Sequence, residues 1–194
     1  MRSALAGASP VTVEKSRFEK LALPHLDAAV NFAFWILRNH DDAEDAVQDA
    51  YLRAFRAFAG FEGDQMRPWL LAIVRNAAYR MLQERRRAGN VVEFTPNGSG
   101  GAVDDSGPIS EEPSPEDVLI AECDRKSLYA ALAELPLAYR EIVVLRDLEG
   151  LSYKDIAATT GVPVGTVMSR LSRGRAELRK AVVRRLVKED PDGM

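Results

Sequence analysis

The stretch Gly150–Lys180 constrains the fold more than any other and reads GLSYKDIAATTGVPVGTVMSRLSRGRAELRK. Ser152 is followed three residues later by Asp155, a capping-box pattern in which each side chain reaches the other's backbone N–H at the start of a helix. Gly161 suits the left-handed conformation that ends a helix, and Pro163 cannot continue one. A second helix is predicted directly after the proline. Two helices joined by so tight a turn predict a helix-turn-helix.

The second of these helices has two distinct faces. A buried stripe is predicted from the residues spaced at i, i+4, i+7 and i+11: Val167, Leu171, Gly174 and Leu178. The opposite face presents Gly165, Ser169, Ser172 and Arg173, with Arg170 and Arg175 on its flanks. The helix is therefore amphipathic, with small and basic residues on the side away from the core.

The charge of this region is strongly positive. Between Pro163 and Lys188 there are eight Lys or Arg residues and a single acid, Glu177. Cations neutralise phosphates, and Arg and Ser side chains reach base edges in the major groove, so the face favours DNA binding. The alternative is a solvated basic helix end that the helix dipole stabilises.

Charge is unevenly distributed along the rest of the chain, although the formal net charge is only −3. Asp41–Leu52 holds five acids and no base, and Gly89–Asp117 holds seven acids and no base. Arg67–Arg87 holds six Arg and one Glu. This segregation indicates separate acidic and basic surfaces for separate partners.

The first half of the chain is predicted to form three helices. The first is predicted from near Lys15 to Asn39, interrupted at Pro24, after a tail without strong periodicity. Its apolar face consists of Leu26, Ala29, Val30, Ala33, Phe34 and Leu37. Asp41 and Glu44 predict the start of a second helix, whose buried stripe is Val47, Tyr51, Ala54, Phe55 and Phe58.

A second stripe lies across this second helix and comprises Asp45, Gln48, Asp49, Leu52 and Arg56. An exposed Leu flanked by acids suits a polar-rimmed contact with a basic partner. A solvated acidic face with one stray Leu is equally compatible with the spacing, because single exposed apolar residues are common.

A third helix is predicted to open at Arg67-Pro68, after a loop with two glycines. Its inward residues are Leu70, Ile73, Val74, Ala77 and Met81, and its other side carries Arg75, Asn76, Tyr79, Arg80, Gln83, Arg86 and Arg87. Arginine, amide and aromatic side chains together favour nucleic-acid contact. Trp69 fits either the core or that surface, and a core position is the default for a Trp.

The predicted fold class is all-α, with two small helical domains and no strand-rich segment. Residues 15–88 form the first domain and 116–188 the second, with tails at 1–14 and 189–194. Residues 89–115 are rich in Gly, Pro, Ser and acids without periodicity, which predicts a flexible acidic linker. Helices are predicted over 116–134 and 137–149, separated by Pro136.

Several motifs, in this order, resemble the extracytoplasmic-function (ECF) sigma factors of bacterial RNA polymerase. They are DAEDAVQDAYLRAF, RPWLLAIVRNAAYRML and LPLAYREIVVLRDLEGLSYKDIAATTGVPVGTVMSRLSRGRAELRK, and the resemblance covers roughly Arg17–Arg185 apart from the linker. Such proteins keep only the second and fourth sigma domains, joined by a variable linker. The resemblance implies a factor that binds core polymerase, recognises −10 and −35 promoter elements and is held inactive by an anti-sigma factor.

The resemblance also implies roles for particular residues. The surface that docks on the β′ clamp helices is implied at Asp45, Gln48, Asp49 and Leu52, and the fourth domain is expected to meet the β flap. Readers of the −10 element are implied at Trp69, Arg75, Asn76, Tyr79 and Arg80. Readers of the −35 element are implied at Thr166, Ser169, Arg170, Arg173 and Arg175. Met168 departs from the family pattern, in which many relatives carry Lys or Arg.

Two other readings compete with this one. An ordinary helix-turn-helix regulator leaves the Arg-rich third helix and the acidic stripe unexplained. A decoy that only sequesters an anti-sigma factor needs no DNA-contacting arginines and is usually fused to a receiver domain.

The remaining sequence features limit the possible enzymatic chemistry and the expected cellular location of the protein. No Gly-rich phosphate loop, Cys/His metal cluster or Ser/His/Asp set is present, so we expect no enzyme activity, no metal and no cofactor. Cys123 is the single cysteine, which fits a reducing cytoplasm, and no apolar run approaches the ~20 residues of a membrane span.

Overall fold

The computed structural model describes residues 10–61, 65–87 and 127–189. Within these ranges every regular element is helical and no strand occurs, so the predicted all-α class is confirmed. The helices are α1 (Pro10–Ala22), α2 (Leu26–Leu37), α3 (His40–Ala57), α4 (Met66–Arg87), α5 (127–134), α6 (Leu137–Val143), α7 (Tyr153–Thr160) and α8 (Val164–Glu189). Short 3₁₀ turns follow α1 and α3, and a π-helical turn, Val144–Leu148, continues α6. The predicted linker lies outside the described residues.

Helix α1 begins at Pro10, five residues before the predicted start near Lys15. Proline is favoured at the first helical position because its φ angle suits the helix and its missing N–H has no intrahelical role there. Val13, which belonged to the predicted tail without periodicity, is 57% exposed. The predicted interruption is confirmed, since Pro24 lies in the 3₁₀ turn between α1 and α2.

The junction of α2 and α3 corrects the predicted helix start at Asp41. Arg38 adopts a left-handed conformation (φ 61°) and ends α2. The side chain of Asn39 then accepts a hydrogen bond from the Asp42 N–H at 3.0 Å and caps α3, which begins at His40. Asp41 therefore lies inside the first turn, where its negative charge interacts favourably with the helix dipole.

Helix α2 is buried on more sides than the predicted single stripe. Ala29, Ala33 and Leu37 are buried as predicted, whereas Leu26 is 39% exposed. Phe32, Trp35 and Ile36 are also buried and were not predicted. The reason is that α2 packs against α3 and α4 on one side and against α6 on another.

The helix-turn-helix of α7 and α8 forms as predicted, with one difference at its cap. The Ser152 hydroxyl oxygen accepts from the Asp155 N–H at 3.1 Å. The Asp155 carboxylate accepts from the same hydroxyl at 2.6 Å, where the prediction had it accept a backbone N–H. Gly161 ends α7 in the left-handed conformation (φ 72°), and its N–H donates to the Ala157 carbonyl at 2.9 Å.

Gly174 sets how closely α8 approaches α6. A Cβ atom at this position would lie 2.8 Å from a Val143 methyl carbon and 3.3 Å from the Tyr139 Cβ. The predicted stripe is confirmed around it, because Val167, Leu171 and Gly174 are buried and Leu178 is half-buried. Gly174 thus allows α6 and α8 to pack more closely than a larger residue would permit.

The two helical halves pack directly on each other, which the sequence did not predict. Helix α4 of the first half packs against α7 of the second, and α2 packs against α6. Buried apolar residues of both halves, among them Val74 on α4 and Ile156 on α7, belong to one continuous cluster. Trp35 also meets Tyr129 of α5 edge to face, with ring centroids 5.4 Å apart.

Candidate nucleic-acid interface

The first candidate reading surface lies on α4, and only part of it faces solvent. Asn76 is exposed, and the Arg80 side chain retains 38% of its accessible area. Trp69 is half-buried against Phe61 at a centroid distance of 4.8 Å, in keeping with the default core position. Arg75 and Tyr79 are half-buried as well, because both contact the second half of the chain.

Glu141 of α6 is the residue that these two side chains contact. Arg75 donates from Nε to Oε2 at 2.9 Å and from Nη2 to Oε1 at 3.3 Å. The Tyr79 hydroxyl donates to Oε2 at 2.9 Å, and Nη1 of Arg170 lies 4.0 Å from Oε1. Glu141 itself is only 1% exposed. One buried carboxylate therefore binds two predicted −10 readers and lies beside one predicted −35 reader.

The electrostatics of this cluster follow from its burial. Burial, then the charge and hydrogen bond of Glu141, raise the pKa of Tyr79 to about 12. Burial alone would lower the pKa of Arg75, but the hydrogen bond and charge of Glu141 outweigh it and raise the pKa overall. The Arg75 guanidinium also lies over the Tyr79 ring, 4.4 Å from its centroid. Arg75 thus stays charged and Tyr79 stays neutral at ordinary pH.

Glu149 forms a second polar contact between the halves. It is 7% exposed, accepts from the Asn31 amide at 2.6 Å and accepts from the Arg67 guanidinium at 2.5 Å. Nearby, the Thr159 hydroxyl donates to the Pro68 carbonyl at 3.2 Å. Sequence reasoning assigned no role to Glu141 or Glu149. The apolar run that follows Glu141 could have indicated that this acid is buried. A buried acid must be paired with another group.

Much of the positive charge on α4 is neutralised within the chain. Arg67 and Arg75 pair with these two glutamates, Arg80 lies 3.6 Å from Asp49, and Arg85 pairs with Asp42. Arg86 and Arg87 are exposed. The predicted Arg-rich surface is therefore smaller in this conformation than the sequence suggested.

The second candidate surface lies on α8 and is open. Gly165, Ser169, Ser172 and Arg173 are exposed, as predicted. Thr166 is half-buried, and its carbonyl accepts a hydrogen bond from the Ser169 hydroxyl at 3.1 Å. Met168, the departure from the family pattern, is 50% exposed.

The two flanks of the α8 surface differ. Arg170 is half-buried and turned toward Glu141. Arg175 is exposed and forms a two-pronged pair with Asp147, and the hydrogen bond to that carboxylate raises the pKa of Arg175. A bidentate pair holds the guanidinium in one orientation.

The acidic stripe on α3 faces solvent. Leu52 is 55% exposed, and Asp45 and Gln48 are exposed beside it. Asp49 is partly covered because it accepts a hydrogen bond from Arg53 at 2.8 Å. The stripe combines an apolar centre with an acidic rim, as predicted.

Two features are absent from the parts of the chain that the structure describes. No group of three or more His, Cys, Asp or Glu residues there has a metal-binding arrangement. None of the described helices combines the length and apolar character needed to cross a membrane.

Comparison with known proteins identifies the family. The Sigma-70 region 2 family matches residues 21–88, and the Sigma-70 region 4 family matches residues 125–178. The ECF RNA polymerase sigma-E factor of Escherichia coli K12 is 37% identical over 140 residues, which cover 69% of this chain and 70% of that protein. The chain belongs to the ECF sigma factors of the sigma-70 family. The predicted resemblance is therefore confirmed.

Another ECF sigma factor and two solved structures are also similar to this chain. SigE of Mycolicibacterium smegmatis is 36% identical over 162 residues, and the match spans 84% of this chain but only 60% of the length of SigE. The sigma factor RpoE from Bartonella quintana, solved in complex with the anti-sigma factor NepR, is 28% identical with a TM-score of 0.67. That match covers 86% of this chain and 97% of RpoE. CnrH, solved with the cytosolic domain of CnrY, shares the fold at 24% identity and a TM-score of 0.58, over 86% of this chain and 87% of CnrH.

Proposed function

We propose that this ECF sigma factor binds core RNA polymerase and directs transcription initiation at promoters with particular −10 and −35 elements. The main support for the proposal is that each matched sigma region contains a helix whose exposed side chains suit DNA binding. Region 2 spans α4, with Asn76 exposed and Arg80 partly exposed, and region 4 spans α7 and most of the open face of α8. We assign residues 15–88 to the polymerase-binding and −10 domain and 116–188 to the −35 domain.

Helix α8 is the proposed −35 reader. A recognition helix reads bases with side chains near its N-terminus while basic residues bind phosphates. Arg173 is exposed, long and able to form a bidentate contact with guanine, so it is the proposed base reader. Thr166, Ser169, Arg170 and Arg175 are proposed as supporting contacts to bases or phosphates.

Helix α4 is the proposed −10 reader. Aromatic rings stack on unpaired bases, amides read base edges and arginines bind the strand backbone. Asn76 and Arg80 are available for this purpose, whereas Arg75 and Tyr79 become available only after Glu141 withdraws. We retain Trp69 as a proposed reader at the end of this surface, although it is half-buried.

The acidic stripe on α3 is the proposed polymerase-docking surface. An exposed Leu52 with Asp45, Gln48 and Asp49 around it has the apolar centre and polar rim of a protein contact. Its negative charge favours a basic partner, and we propose the β′ clamp helices. The second domain is proposed to meet the β flap.

Further parts of the proposal come from the family. An anti-sigma factor is the proposed regulator, as RpoE of Bartonella quintana was solved with one. A factor that acts on polymerase and DNA works in the cytoplasm, without membrane insertion. We propose no enzymatic activity and no cofactor, because sigma factors act by binding.

Run-off transcription with bacterial core polymerase and a library of promoter fragments tests the proposal. We expect initiation at a subset of fragments that share two elements. The double variant Leu52→Ala/Asp49→Ala should lose initiation and core binding. The matched pair Leu23→Ala/Glu19→Ala should not, since it combines an exposed Leu with a half-buried acid on the preceding elements. Failure of the unmodified chain to initiate anywhere would contradict the proposed function.

A further inference from the structure

Glu141 binds side chains that the proposed function assigns to DNA contact. Its carboxylate accepts two hydrogen bonds from Arg75 and one from Tyr79, and Arg170 lies 4.0 Å away. Arginine and tyrosine donors converging on one anionic group are also the donors that proteins use for backbone phosphates. A carboxylate on the second half of the chain thus stands where a phosphate could bind.

We propose that Glu141 is an intramolecular latch that keeps the free sigma factor closed and its −10 reader inactive. The inference rests on the proposed role of α4 in DNA binding. Because Glu141 already accepts hydrogen bonds from Arg75 and Tyr79, a DNA strand cannot use these donors while Glu141 is in place. A phosphate and the carboxylate are both negative, so they exclude each other from the same donors.

The distance between the promoter elements supports the same conclusion. Arg75 of α4 and Arg170 of α8 meet at a single carboxylate in this conformation. The names of the −10 and −35 elements place them about 25 base pairs apart, or ~85 Å at ~3.4 Å per base pair. Both helices cannot read their elements unless the two halves separate, so the closed conformation is incompatible with promoter binding.

Glu149 and the apolar contact help Glu141 to hold the halves together. Glu149 binds Asn31 and Arg67 of the first half, and Thr159 donates to the Pro68 carbonyl. The continuous cluster that includes Val74 and Ile156 adds apolar burial. These contacts stabilise the closed form, while the Glu141 carboxylate is the group that competes directly with DNA.

The latch is tested by two measurements on the full chain without polymerase. The first is a distance distribution between spin labels on exposed positions of the two halves, Glu44→Cys and Arg179→Cys, in a Cys123→Ser background. The second is the affinity for single-stranded oligonucleotides that carry the −10 sequence selected by run-off transcription. Glu141→Gln removes the charge and keeps the shape, and Glu19→Gln is the matched control, because Glu19 pairs only locally with Lys15 at 3.8 Å among its described ion pairs.

We expect Glu141→Gln to broaden the distances toward longer values and to raise oligonucleotide affinity, whereas Glu19→Gln changes neither. If the open form is about a tenth of the population, full opening raises apparent affinity about tenfold. If Glu141→Gln loses its helical circular dichroism signal, Glu149→Gln replaces it in both measurements. The expected gain in oligonucleotide affinity is then smaller. An unchanged distance, or a longer distance with unchanged affinity, overturns the latch.

Run-off transcription by the unmodified chain separates failure of the latch from failure of the proposed function. Initiation together with unchanged oligonucleotide affinity in Glu141→Gln rejects the latch alone. Absence of initiation at every fragment rejects the sigma role, on which the latch depends, whatever the distances show.

Discussion

The two candidate reading helices, α4 and α8, carry similar side chains but differ in what covers them. The face of α8 around Ser169, Ser172 and Arg173 is open to solvent. On α4, the Arg75 side chain is only 18% exposed and is bound to Glu141. A DNA-type surface therefore depends on the partners of its side chains as well as on its composition. In the same chain, Arg173 is exposed to solvent and Arg75 is held by an internal acid.

The largest expected difference between the two helices is in stability. Arg75→Ala leaves the Glu141 carboxylate buried without its main partner. Breaking a buried pair in this way costs about 3–5 kcal/mol, and we expect the lower end because Arg75 is partly exposed. Arg173→Ala on the open face should change the free energy of unfolding by less than about 0.5 kcal/mol.

Urea denaturation of both variants measures this contrast. Equal stability losses for Arg75→Ala and Arg173→Ala would show that the two arginines have the same environment, contrary to the comparison.

The second expected effect concerns DNA recognition by α8. Arg173→Ala should weaken binding to the −35 duplex by about 1–3 kcal/mol and relax specificity at one base pair, because the proposed bidentate contact to guanine would be lost. Competition binding with duplexes substituted at each position measures it, and Arg179→Ala, exposed two turns further along α8, is the control. A uniform loss over all sequences would instead make Arg173 a phosphate contact.

The third prediction compares two glycines of α8. Gly174→Ala should destabilise the protein by about 1–3 kcal/mol, since the new Cβ would meet Val143 at 2.8 Å and overpack the α6 contact. Gly165→Ala, with no atom within 4 Å of the new Cβ, should be neutral or stabilising by about 0.5–1 kcal/mol. Thermal unfolding distinguishes the two. A neutral Gly174→Ala would mean that α6 and α8 do not approach as closely as described.

The smallest expected effect is in the titration of two tyrosines. Burial raises the pKa of both Tyr79 and Tyr51 to about 12, but Glu141 contributes only to Tyr79, while Asp27 contributes to Tyr51. Because the folded pKa lies above the ordinary value of 10, the stability from the neutral phenol is complete below pH 10 and is lost as the pH rises through about 12.

Glu141→Gln should therefore lower the pKa of Tyr79 and leave that of Tyr51 unchanged. Phenolate absorbance during alkaline titration measures both, with Tyr79→Phe and Tyr51→Phe to assign the two transitions. A parallel shift of both tyrosines would show that the substitution acts through general unfolding and not through the local contact.

Features set by local chemistry were predictable from the sequence. Ser152, Gly161 and the stripe through Gly174 define the helix-turn-helix, because caps, left-handed turns and helical periodicity depend on neighbouring residues. The exposure of Leu52 followed in the same way from its position opposite the buried face of α3. The start of α3 was misplaced because Asn39, Asp41 and Glu44 all offer capping chemistry and only the backbone decides among them.

Features set by the packing of the two halves were not predictable. Helical periodicity assigns one buried face to a helix, so it missed Phe32 and Trp35 on α2, which packs against helices of both halves. It also placed Arg75 and Tyr79 on an open surface, since nothing near them in sequence indicates Glu141, more than 60 residues away. Long-range partners of charged residues depend on tertiary placement that periodicity does not encode.

Footprinting on a promoter selected by run-off transcription shows whether α4 and α8 together read two separate elements as part of a polymerase. We expect protection of two separate sites, near −10 and −35, only when core polymerase and this chain are both present. Arg173→Ala should remove the upstream protection first. Strong protection of a single site by the chain alone, unchanged by core polymerase, would contradict the account and favour an ordinary operator-binding regulator.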